Sequence, residues 1–98
     1  MNHLQEVEFN YGEHKFILRP TQKAIYRTLK DAGLNNRFNE LIKELDQVNM
    51  DVIYILFKNL ADSKLSVNEL LDLNIPINKL MEPVAECIKL MLVSEEGK

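Results

Sequence analysis

Two periodicities of hydrophobic and polar residues divide the chain. Near the N-terminus Val7, Phe9 and Tyr11 alternate with Glu6, Glu8 and Asn10, and Phe16 and Leu18 alternate with Lys15 and Arg19. Period 2 is the signature of strands with one apolar face. Between them, Gly12 at the first central position of a two-residue loop with Glu13 at the second suits a type II′ turn. That turn sets Phe9 opposite Phe16, Val7 opposite Leu18 and Glu6 opposite Arg19. A turn on Tyr11-Gly12 keeps the same faces but shifts the pairing by two, with Glu8 opposite Lys15. Either register leaves an apolar hairpin face that needs cover, since an isolated hairpin is marginal in water.

From Pro20 onward the period lengthens to that of helices. Pro20 keeps Arg19 extended, and Thr21 is a good N-cap for a first helix over about Gln22–Ala32, stopped by Gly33. A second helix over about Asn36–Leu45 carries the stripe Phe38, Leu41, Ile42 and Leu45. Asn49 caps a third, Met50–Ala61, with Ile53, Leu56, Phe57 and Leu60 inward. Its segment from Met50 to Phe57 has high β propensity, but the cap and the i, i+3, i+4, i+7 pattern favour helix. Ser66 and Glu69 form a capping-box pattern for a short fourth helix with Val67, Leu70 and Leu71 inward, broken at Asn74-Ile75-Pro76. A last helix lies over about Lys79–Val93, with Leu80, Val84, Ile88 and Met91 in one stripe and Pro83 in its first turn or else kinking it. The expected fold is α+β: one domain over 1–98, a hairpin in 1–20, four to five helices in 21–93 and a polar tail in 94–98.

Composition narrows the functional classes. The 98 residues are 46% hydrophobic and 28% charged, with a net charge of −3. Seven basic and seven acidic groups fall in residues 1–49, five and eight in residues 50–98. An acidic balance argues against bulk nucleic-acid binding, which needs a basic surface. One cysteine permits no intramolecular disulfide. The N-terminus lacks the pattern of a secretory signal, and the longest apolar run, Val52–Phe57, falls far short of the roughly 20 residues of a membrane span. A cytoplasmic protein is expected, with no membrane contact.

The residue types of bond-making chemistry are not gathered. His14 has no metal-ligand partner at helical spacing and His3 has Glu6 alone, so neither a metal nor another cofactor is expected. Cys87, between Val84 and Ile88, reads as a small buried hydrophobe. The pairs Glu6/Glu8, Glu40/Glu44 and Glu95/Glu96 fall on expected solvent faces or in the tail. Binding residues are better candidates. Lys23, Arg27 and Lys30 share one face of the first helix, with Arg19 before it and Arg37 beyond. That face suits an acidic partner, and in the alternative a nucleic acid. The third and last helices carry more apolar residues than one buried stripe uses, which makes Val52, Tyr54, Ile55, Met81 and Met91 candidates for a partner-facing set.

The hairpin ending in Phe16-Ile17-Leu18-Arg19-Pro20-Thr21, followed by Ala24-Ile25-Tyr26 and Leu29, is similar to the start of small phage tail assembly chaperones. These occur in long-tailed phages and in prophages of Gram-positive bacteria. The resemblance extends through Asn49-Met50-Asp51 and Leu73-Asn74-Ile75-Pro76 to nearly the whole chain. It implies a non-enzymatic protein that binds the tape-measure protein, keeping its hydrophobic helices in solution while tail-tube subunits assemble around it. Its partners would be those two proteins, with a homo-oligomer also open.

Overall fold

A computed structural model describes residues 6–35 and 37–96, with side chains as far as Leu92. His3 and Asn36 lie outside the described residues, as do Gly97 and Lys98. Strands β1 (Val7–Tyr11) and β2 (His14–Leu18) pair antiparallel, Val7 with Leu18, Phe9 with Phe16 and Tyr11 with His14. The loop is therefore Gly12-Glu13, and Gly12 at φ +60° followed by Glu13 at negative φ is the type II′ combination. Across the open end Arg19 Nε donates to Glu6 Oε2 at 2.7 Å, as the register requires. Glu8 and Lys15 meet diagonally at 3.4 Å rather than face to face.

Helix α1 (Gln22–Asp31) starts where Pro20 ends the strand, with Thr21 Oγ1 accepting from the Ala24 N–H at 3.1 Å. It closes with Gly33 at φ +70° and the Leu34 N–H returning to the Leu29 carbonyl at 2.9 Å, a Schellman stop. Helix α2 (Phe38–Asp46) begins after Arg37, which makes no side-chain cap. It ends by the same device, except that the left-handed position belongs to Val48 at φ +56°. A β-branched residue there strains the backbone by roughly 1–2 kcal/mol. Replacing Val48 with glycine is expected to raise the stability by about 1 kcal/mol in urea denaturation. An unchanged or lower midpoint would mean that the turn carries no strain.

Helix α3 (Met50–Ala61) has the bounds that Asn49 and the helical period predict, and Asn49 Oδ1 accepts from the Asp51 N–H at 3.1 Å. Helix α4 (Val67–Asp72) opens on the Ser66–Glu69 capping box, both halves of which form. Helix α5 (Ile77–Glu96) begins two residues earlier and ends three residues later than its pattern predicts. The Pro76 carbonyl accepts the Lys79 and Leu80 N–H groups, so the chain is already helical before Lys79. Pro83 is thereby the seventh helical residue rather than part of the first turn, and without an N–H it leaves the Lys79 carbonyl without its helical partner.

The core is organised around α3, which packs against β2, α1, α2, α4 and α5. Phe57 is fully buried, its ring edge-on to Phe16 at 5.0 Å and to Phe9 at 5.9 Å between centroids. This cluster is the cover that the hairpin's apolar face needs. Leu18, Ile53, Leu56, Leu70, Leu80 and Val84 are wholly enclosed around it. The Arg19 N–H donates to the Leu60 carbonyl at 2.9 Å, tying the end of the hairpin to α3. Buried Thr28 donates to the Ala24 carbonyl and accepts from Asn59 Nδ2, so its hydroxyl is satisfied in both directions.

Four sequence expectations are corrected by burial. Val52 and Tyr54, expected on a partner-facing surface, are 4% and 3% exposed and belong to the core. A helix surrounded by five elements buries nearly every side of itself, so its surplus apolar residues are internal. Conversely, Ile42 and Leu71, expected inward, are exposed at 37% and 38%, because among the described residues α2 packs on α1 and α3 only and α4 on α3 only.

Candidate functional site

The gap between α1 and the end of α5 is the most distinctive surface feature. Both helices pack on the core through other faces, and among the described residues no Cα of α1 comes within 8 Å of one of α5. Helices in direct contact run 8–10 Å apart axis to axis and would break that limit. The gap forms an open hollow of about 360 Å³ lined by Gln22, Ile25, Tyr26, Leu29, Phe38, Met91 and Leu92. Buried Ile25 and Leu29 form its floor, and half-buried Phe38 and Met91 line it beside them. Tyr26, 51% exposed, and Leu92, 46% exposed, stand at its lips. Lys30 Nζ lies 5.6 Å from the centre of the Tyr26 ring, a cation–π distance that holds positive charge at the rim.

A second hollow of about 210 Å³ lies on the other side of α1, among Arg19, Lys23, Arg27, Asn59 and Asp62. The structure thus brings three of the expected basic residues together. Their field is partly cancelled, because Glu6 holds the Arg19 guanidinium and Asp62 stands in the same wall at the C-terminal end of α3. Among the described residues no aromatic side chain lines this hollow for a base to stack on. A third, of about 440 Å³, lies where Asp31 and Asn49 meet Val52, Ile55 and Val67.

The residues expected to bind a partner are therefore dispersed. Met91 lies in the apolar hollow, Arg19, Lys23 and Arg27 in the basic one and half-buried Ile55 in the third. Tyr54 is in the core, and Met81 is half-buried against it without entering any of the three. Sequence reasoning missed Gln22, Tyr26, Phe38 and Leu92. Two signals were available: Tyr26 is an aromatic residue on the otherwise polar face of α1, and Leu92 falls off the main stripe of α5.

Reactive groups are placed where they pack. Cys87 is fully enclosed, and burial, followed by the charge of Glu86, pushes its thiol up to about 12. The exposed His14 ring stacks on Phe16 at 6.1 Å. Among the described residues no group of three or more His, Cys, Asp and Glu side chains is placed to hold a metal ion. Nor is any described helix long and apolar enough to cross a membrane.

Fold and site together define an α+β domain: a hairpin on five helices with an apolar, basic-rimmed hollow between its first and last helices. No protein-family profile, curated protein or solved structure matches the chain.

Proposed function

We propose that this protein is a phage tail assembly chaperone that works in the bacterial cytoplasm by binding, without catalysis. Its clients are the tape-measure protein, whose long hydrophobic helices need cover before assembly, and the tail-tube subunits that assemble around them. The observation that carries this reading is the α1–α5 hollow, whose floor of Ile25 and Leu29 between Tyr26 and Leu92 offers apolar surface to a client helix. The resemblance in layout, from Phe16–Thr21 through the helical remainder, points the same way. Nucleic-acid binding through Arg19, Lys23, Arg27 and Lys30 is the weaker reading, because acidic neighbours occupy or oppose part of that face.

Co-expression with a tape-measure protein that is insoluble alone tests the proposal. The two are expected to co-purify in the soluble fraction. A tape-measure protein that stays in the pellet while this chain purifies alone, or with nucleic acid, would overturn the chaperone reading.

A further inference from the structure

The α1–α5 hollow has the length of a short stretch of helix. Its lining runs along α1 from Gln22 to Leu29, which at 1.5 Å per residue is about 10–12 Å, two helical turns. Across it the backbone of α5 stands too far away for direct packing. A third helix laid between the two would place two or three apolar side chains, at i, i+3 or i+4, and i+7, against Ile25, Leu29, Phe38 and Met91. The unbranched thioether of Met91 adapts to whichever apolar side chain arrives.

The rim adds a charge requirement. Between Gln22 and Lys30 the first helix carries Lys23, Arg27 and Lys30 and no acid, in a chain whose net charge is −3. Lys30 is held over Tyr26 at the lip, whereas Lys23 and Arg27 face the second hollow. Exposed Lys89 stands one turn before Leu92 on the opposite side. The nearby Asp31 turns away, its carboxylate accepting from Asn59 Nδ2 at 3.4 Å.

We propose that the hollow seats a single amphipathic helix of the partner whose apolar stripe is bordered by acidic residues, with Lys30 and Lys89 selecting that border. In assigning such a helix to the tape-measure protein, this rests on the chaperone reading above. Cationic residues at an interface edge favour acidic partners and repel basic ones, and the preference weakens as salt screens it.

Two labelled peptides of about 18 residues, long enough to become helical on contact, test this by fluorescence anisotropy against the full chain. They share leucines at i, i+3, i+4 and i+7; one has glutamate along both sides of the stripe, the other lysine. The acidic peptide is expected to bind about tenfold more tightly at low salt, with the difference shrinking as salt is added. Lys30→Glu with Lys89→Glu should reverse the preference. Leu92→Asp and, separately, Tyr26→Ser should weaken both peptides, and the exposure of both positions keeps the fold intact by circular dichroism.

Equal binding of the two peptides, or binding indifferent to both Leu92→Asp and Tyr26→Ser, overturns the proposal. So does a chain that dimerises by itself in sedimentation and loses the dimer on Leu92→Asp, since the occupant would then be a second copy. The two readings fail separately. If those variants still keep the tape-measure protein soluble, the hollow is not its seat and the chaperone reading stands. If acid-selective peptide binding appears with no capture of the tape-measure protein, the hollow's chemistry stands and the chaperone reading falls.

Discussion

Phe57→Ala is expected to lower the unfolding free energy by about 3–5 kcal/mol, measured by urea denaturation at neutral pH. Phe57 is wholly buried, and its ring is the one surface that both Phe9 and Phe16 meet edge-on. Truncation would remove the transfer energy of the ring and leave a cavity that a hairpin, held by its own ladder, cannot fill by collapse. Total stabilities of such domains are about 5–15 kcal/mol, so the variant would retain little margin. A loss under about 1 kcal/mol would mean that the hairpin does not depend on α3 for its cover.

The second large effect is a loss of stability in alkali that depends on Cys87. Its thiol, at 9.0 in the open chain, is pushed up to about 12 by burial and by Glu86. Below about pH 8 the thiol is neutral in both states and contributes no pH dependence. Between about pH 9 and 12 the unfolded chain loses the proton and the native state keeps it, so the unfolded state gains. The slope is about 1.4 kcal/mol per pH unit, which accumulates to roughly 4 kcal/mol at the upper end. Desolvation raises the Tyr54 phenol as well, so part of the alkaline loss belongs to that residue. Comparing the wild type with Cys87→Ala isolates the thiol. The variant is expected to start lower at pH 7, by about 1 kcal/mol for the lost packing, and to decline less steeply above pH 9. Parallel curves would mean that the thiol reaches water in the native state.

Local signals made most of the fold legible. Gly12 places the turn and fixes which hairpin face is apolar, but it leaves two registers open, and the structure takes the one that pairs Phe9 with Phe16 and brings Glu6 to Arg19. Thr21, Asn49 and the Ser66–Glu69 box mark helix starts because each supplies an acceptor to N–H groups that the helix cannot satisfy itself. Position in the assembly is a different matter. The surplus apolar residues of α3 fit a wrapped helix or an exposed one equally well, and only the placement of five neighbours decides for the first. That is why Val52 and Tyr54 read as surface residues and are core.

The hollow was hidden for the same reason. It is a gap between helices about 60 residues apart in sequence, and no periodicity within either helix encodes the distance between them. Met91 was found because methionine suits adaptable contacts, whereas Tyr26 and Leu92 become meaningful only once they face one another across the gap.

The central position of α3 also bears on how the chain is born. Its inner face closes on β2 from one side and on Leu80, Val84 and Cys87 of α5 from the other. During synthesis the hairpin and the first four helices emerge first, with the α5 side of their core still open. The finished interior has to wait until α5 has left the ribosome. Until then the part of the core that α5 completes is open to any apolar chain nearby, so the chain passes through a stage of exposed hydrophobic surface before it can bury it.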